Sequence, residues 1–432
     1  MGNRKIQNSA ELGSTPARKA VLDIAEAGLQ AIDTRSVIRR EVALNEKELV
    51  VRGEAFPLED IDRIFVVGVG KCSLEAAGAL EEILGDHVSG GMVIDVHAGS
   101  LKRIKTYTGD HPFPTERNVS ATGELIDLLS HLSERDLVLA VISGGGSTLL
   151  CSPQGMHCNL EADVLKCLFR AGADIREINT IRKHLSLARG GQLAKHAFPA
   201  RIISLIFSDV PGDDLSFIAS GPTVRDTTTV ADAEAILDRY EVRTSCALPK
   251  ESLLETPKEE RFFTDVHNIL IVSNITALHA MRDRAKELGF ASVIKTHELH
   301  GEARDVALTI LEELRSTPEK SVLLYGGETT VTVRLPGKGG RNQECALSAL
   351  REIHAGEVFL SLASDGRDNT DFAGAICDII TAQKASALHL DPAHFLEHND
   401  AYSFFSRVGD FIVTGETGSN ISDLIIAFHD TS

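Results

Sequence analysis

Ile64-Phe65-Val66-Val67-Gly68-Val69-Gly70-Lys71-Cys72-Ser73 is the stretch that decides the fold. A β-branched apolar run ends in two glycines and a cation, and residues 74–84 then turn rich in Ala, Leu and Glu. That order predicts strand, tight loop and helix. It returns where residues 137–142 run into Ser143-Gly144-Gly145-Gly146-Ser147, and where residues 202–207 run into Ser208-Asp209-Val210-Pro211-Gly212-Asp213-Asp214. Residues 92–96 add a further short strand. Parallel strands joined by helices make a sheet covered on both faces, with ligands at the carboxyl ends of the strands where these loops lie.

The pattern breaks after Tyr240, in a charged stretch with two prolines and little periodicity. Strands are expected again at 268–272, 321–325, 357–362 and 410–413, with a helix over 276–288. The fold class is therefore α/β in two domains: a Rossmann-like α/β/α domain over 1–245, a connection over 246–261, and a smaller α/β domain over 262–432. Thr15 and Pro16 read as the cap and first turn of a packing helix that continues through Ile32.

Composition sets bounds on function. With 43% apolar and 25% charged residues, the 432-residue chain can bury sizeable cores. A net charge of −18, 5% aromatics and no Trp disfavour nucleic acid and anionic membrane surfaces as partners. Seven cysteines without a CxxC pair suggest neither a zinc cage nor a disulfide framework, so a reducing, cytoplasmic setting is expected.

The loops carry the chemistry. Gly68 to Ser73 has two glycines of a dinucleotide fingerprint but Ser73 in the third place, and it is not a Walker A loop. It leaves a helix N-terminus with Lys71 at its mouth, which suits an anion. Ser143 to Ser147 has three consecutive glycines after a buried strand, which points to phosphate cradling, or to a tight serine-flanked connector. The acids of the Asp209 and Asp213 loop, and of Ser364-Asp365-Gly366-Arg367-Asp368, can place Mg²⁺ or orient a hydroxyl, and serve equally as helix caps. His111, in Asp110-His111-Pro112-Phe113-Pro114, is the histidine best placed for function, with a structural role equally open. Gly326-Gly327-Glu328-Thr329-Thr330 and Gly337-Lys338-Gly339-Gly340-Arg341-Asn342-Gln343-Glu344 add glycines, two cations and carboxylates after another strand.

Taken in order, GVGK at Gly68, DHPFP at Asp110, SGGGS at Ser143, IRKHLS at Ile181, RGGQLA at Arg189, SDVPGDD at Ser208, IASGPT at Ile218, GGETT at Gly326, GKGGRNQE at Gly337 and ASDGRDNTD at Ala363 resemble the glycerate 2-kinase family, whose C-terminal half is the MOFRL domain. The resemblance spans residues 17–428. It departs near the C-terminus, where Glu416 and Ser419 stand for the family's proline and threonine.

The resemblance implies ATP-dependent phosphorylation of D-glycerate to 2-phosphoglycerate in a cleft between domains, with ATP and Mg²⁺ as cofactors. It makes Lys71 and Arg341 the catalytic cations. The further expectations are Asp209 as a catalytic acid; Gly70, Ser143, Gly144, Gly145, Gly146, Ser147, Gly327 and Glu328 at the nucleotide; Lys183 and Asn342 at the substrate; and Asp213 and Asp365 at the metal. A homodimer is the expected assembly. The rivals are an NAD(P)H-dependent hydroxypyruvate reductase, a label some family members carry, and a non-catalytic sugar-phosphate sensor.

Overall fold

Strand Arg63–Val69 forms where the β-branched run predicts it, between Val88–Asp95 on one side and Asp136–Ile142 on the other. In this computed structural model, which describes residues 4–430 except 247, 250 and 251, six strands line up as Lys105–Thr108, Val88–Asp95, Arg63–Val69, Asp136–Ile142, Arg201–Phe207 and Val266–Val272. The first four junctions are parallel. Since the chain leaves Arg63–Val69 to opposite sides, the carboxyl ends of that strand and of Asp136–Ile142 mark a switch point, where doubly wound sheets take ligands. Asp136–Ile142 is buried along its whole length, which explains its unbroken apolar reading.

A second sheet runs Ala291–Leu299, Ser321–Gly327, Asp423–His429, Glu357–Ala363, Gly374–Asp378 and Phe411–Ile412. Its first junction is parallel and the other four are antiparallel. The central strand Asp423–His429 pairs with both neighbours and sets Asp423 directly opposite Gly327 and Ala363. Helix Arg341–Leu350 packs against this sheet with nearly every residue buried. Among the described residues, no helix is long and apolar enough to cross a membrane.

Two expectations about organisation change, and one element is new. The chain divides into residues 34–208 with 213–271, and residues 1–33 with 209–212 and 272–432. The domain expected over 1–245 thus loses its first helix, Pro16–Ala31, to the C-terminal unit. The reason is Arg18, which is fully buried with Nε and Nη2 on Asp378 at 2.7 and 2.6 Å and Nη1 on Asp410 at 2.8 Å. Desolvation of that guanidinium is offset by its two carboxylates. The strand expected at 268–272 to open the second domain is instead the edge of the first sheet, where Asn268 exchanges hydrogen bonds with Thr223. A three-stranded antiparallel sheet over Val42–Leu44, Glu48–Val51 and Glu54–Pro57, which the sequence reading does not anticipate, also belongs to this unit.

Candidate active site

In the N-terminal unit, two glycine loops touch through their backbones. Lys71 N–H donates to Gly144 O at 2.9 Å and Ser143 N–H to Val69 O at 3.0 Å. Gly70 sits at φ +121°, and a Cβ there would lie 2.1 Å from Ser143 Oγ, so the close approach requires glycine. A Cβ on Gly145 would meet Lys71 Cγ at 3.2 Å and His111 Cδ2 at 3.5 Å, which brings the lysine stem, the DHPFP loop and the SGGGS loop to one point. Burial and the Lys71 charge hold His111 below its usual range, so it is a neutral imidazole at physiological pH. Ser147 Oγ lies 2.8 Å from Ser220 Oγ, and Ala219 and Ser220 both take positive φ against the loop.

Helix Ser73–Leu84 does not present a free N-terminus here. The carboxylate of Asp95, 1% exposed, accepts Leu74 N–H at 2.9 Å and Ser73 Oγ–H at 3.2 Å. An internal anion already sits where the sequence suggested an external one. Asp95 is also the nearest acid to the ribose position of a dinucleotide fold, and its oxygens are spent on the helix and on His97 N–H.

In the C-terminal unit, Arg341 is the centre of a carboxylate cluster. Asp423 takes Nε at 2.5 Å and Nη2 at 3.0 Å, and Glu328 takes Nη2 at 2.9 Å. Asn342 Nδ2 bridges Asp423 at 2.9 Å and Asp368 at 3.2 Å, while its Oδ1 accepts from Ser361. Asp368 accepts Asn342 N–H and Gln343 N–H at 3.1 and 2.8 Å, which caps helix Arg341–Leu350 with a buried carboxylate as Asp95 caps the other helix. Burial pushes both Asp368 and Asp423 up to about 6. For Asp423 the Arg341 contact opposes that rise, and the bidentate geometry is that of an ionised pair at neutral pH. Glu328 is raised by burial and by the charges of Asp209 and Asp365, and lowered by Arg341.

The expected site residues therefore separate. Asp209, Glu328, Asp365 and Arg341 come together in the C-terminal unit, where Ser422 Oγ–H donates to the carbonyl of Asp209 at 2.9 Å. Lys71, Gly70 and Ser143 to Ser147 come together in the N-terminal unit. Asp213 belongs to the N-terminal unit at φ +55°, so it and Asp365 lie in different units. Lys183 is buried with Nζ 2.5 Å from Asp226 Oδ1. Asn342 bonds through its amide to Asp423, Asp368 and Ser361, and so ties the acids together. The glycine at 327 answers to Leu299, whose backbone N and O would lie 2.3 Å from an added Cβ.

Asp423 was missed, as was Arg182; neither stands in a glycine loop, and the only signal for Arg182 was its place in IRKHLS. Among the described residues no three His, Cys, Asp or Glu side chains converge to cage a metal. The donor set near Arg341 fits a hard cation that arrives already coordinated, as the Mg²⁺ of MgATP does, since such an ion needs only one or two carboxylates and keeps its waters.

Residues 20–255 match a domain of unknown function, DUF4147, and residues 321–423 match the MOFRL family. A D-glycerate 2-kinase from Thermotoga maritima is 38% identical over 86% of this chain and 92% of its own. A glycerate 2-kinase from Pyrococcus horikoshii is 37% identical over 94% of this chain and 97% of its own. A crystal structure of a glycerate kinase from Thermotoga maritima superposes with a TM-score of 0.85 at 34% identity, covering 95% of this chain and 99% of that one. With likeness of this extent in sequence and in fold, the chain belongs to the glycerate 2-kinase family, with a MOFRL domain in its C-terminal part.

Proposed function

We propose that this protein transfers the γ-phosphoryl group of ATP to the 2-hydroxyl of D-glycerate, releasing ADP and 2-phosphoglycerate. The observation that carries the reading is the pre-set arginine. Asp423 fixes Arg341 through Nε and Nη2, and Nη1 carries no hydrogen bond among the described residues. One edge of a rigid, permanent cation is thus left for a phosphoryl or carboxylate oxygen.

In the step, the 2-hydroxyl oxygen forms a bond to the γ-phosphorus as the bond to the β,γ-bridging oxygen breaks, and the hydroxyl proton passes to a carboxylate. Asp209 is the proposed acceptor. Lys71 and Arg341 offset the charge that spreads over the equatorial oxygens, in keeping with a reaction that demands positioning more than covalent chemistry. The carboxylates around Arg341 outnumber it, so Glu328 and Asp365 would hold Mg²⁺ entering with ATP, which would supply the balancing charge. Neutral His111 can donate or accept a hydrogen bond beside Lys71 without adding repulsion.

The reductase reading needs an acid free to hold a ribose, and Asp95 is committed elsewhere. The test is an ADP-release assay over a panel of small hydroxy acids, run on the wild type, Lys71→Ala and Arg341→Ala. D-glycerate should give the highest kcat/KM, and each variant should lose about 10² to 10³ in rate while staying folded at the assay temperature. Full turnover in a folded variant would remove that residue from the mechanism.

A further inference from the structure

Beside the SGGGS loop, within the N-terminal unit, lies a cavity of about 320 Å³. Its walls are largely apolar, from Phe113 of the DHPFP loop, Leu165 and Phe169 of helix Cys158–Arg170, and Ile178 of helix Ile175–His184. Ser147 and Thr148 close one end, directly after the three glycines. The charged lining is Glu161, Lys166, Arg170, Arg182 and Arg189.

Arg182 and Arg189 differ. Arg189 is 1% exposed and paired with Glu161 at 2.5 Å, yet its Nε is buried without a partner. The guanidinium of Arg182 forms no hydrogen bond or ion pair among the described residues. Burial and the neighbouring Arg189 charge pull it down to about 10, and Glu161, which Arg189 already holds, offsets this only in part. A protein does not gain stability from such a group, so its use is to be sought in a ligand.

Three features choose the ligand. The volume sits at the small end of the roughly 300–1,000 Å³ of small-molecule sites, and it is far larger than a three-carbon acid needs. Apolar walls would strand the hydroxyls of glycerate but suit the faces of a heteroaromatic base. The polar end adjoins the loop assigned to phosphates. We infer that this cavity seats the adenine and ribose of the nucleotide, with the Arg182 guanidinium against the base and Ser147 at the passage to the phosphate chain; the placement rests on the kinase reading above.

The test uses ADP and inorganic tripolyphosphate as probes in calorimetric titrations of the full-length protein. Arg182→Met should weaken ADP by about tenfold or more, the scale of a desolvated guanidinium contact. Ala162→Trp, on the cavity wall, should block ADP by filling the space and provides an independent variant should Arg182→Met fail to fold. Tripolyphosphate should bind both variants as it binds the wild type. ADP affinity unchanged in both variants, with a wild type that phosphorylates glycerate, would overturn the inference and leave the kinase reading standing. Equal loss of ADP and tripolyphosphate would show a phosphate site instead of a base pocket, and also overturn it. A wild type that binds neither ADP nor ATP would overturn both.

Discussion

Asp423→Asn should separate the placing of Arg341 from its charge. Asp423 is 3% exposed and makes two bonds to the guanidinium and one to Asn342. The amide keeps the shape but presents at most one acceptor to the arginine, and its NH₂ then faces a donor. Breaking a buried pair from one side costs about 3–5 kcal/mol, and here the lower end applies, since Glu328 remains to hold Arg341 and the arginine is one-third exposed. A loss of about 3 kcal/mol in urea-derived stability is expected. Activity should fall further than stability explains: a cation that no longer aims at the transferring group forfeits about 10² in kcat, with KM for ATP changing far less. Steady-state ADP release at a temperature well below the variant's melting transition measures both. A folded Asp423→Asn enzyme with kcat within about threefold of wild type would refute the claim that this carboxylate positions Arg341 for catalysis.

Asp368 and Asp423, raised from 3.8 to about 6, should give kcat an acid limb centred near pH 6, because protonation there releases both Arg341 and the helix cap. The stability term has the opposite sign. The folded state binds the Asp368 proton more tightly than the unfolded chain, so the Asp368 charge destabilises the fold at high pH and ceases to do so as pH falls from about 6 towards 3.8. Titrating stability of wild type against Asp368→Asn should show a difference that shrinks over that window, and a difference that grows would contradict it. Arg18→Met leaves Asp378 and Asp410 buried beside Lys384 alone, and should lower stability by about 3–5 kcal/mol in denaturant melts without altering KM. Gly327→Ala forces a Cβ to within 2.3 Å of the Leu299 backbone at φ +143°, so it should unfold the protein at lower denaturant while leaving nucleotide binding unaltered in whatever stays folded.

The fold class was legible because strand and loop announce themselves locally: β-branched runs followed by glycines at 64–73, 137–147 and 202–214 all proved to be strand ends. Partners distant in sequence were not. Gly327 and Gly340 read as room for a ligand, but what approaches them is protein, at Leu299 and Asp368. Asp423 lies 82 residues from Arg341 with no motif around it, and only the antiparallel register of the last strand brings it to the site. Nothing local in the sequence marks Arg18 for burial, which depends on acids 360 and 392 residues away. Lys183 and Arg182 are neighbours in one motif. Helix geometry, not composition, sends the first to Asp226 and the second to the cavity.

The central claim concerns one bond. Phosphorus NMR of the product formed from ATP and D-glycerate resolves 2-phosphoglycerate from 3-phosphoglycerate. The reading predicts the 2-phosphate in step with ADP, and none from Arg341→Ala over the same interval. ATP left intact in the presence of D-glycerate and Mg²⁺, or phosphate found on the 3-hydroxyl, would contradict it.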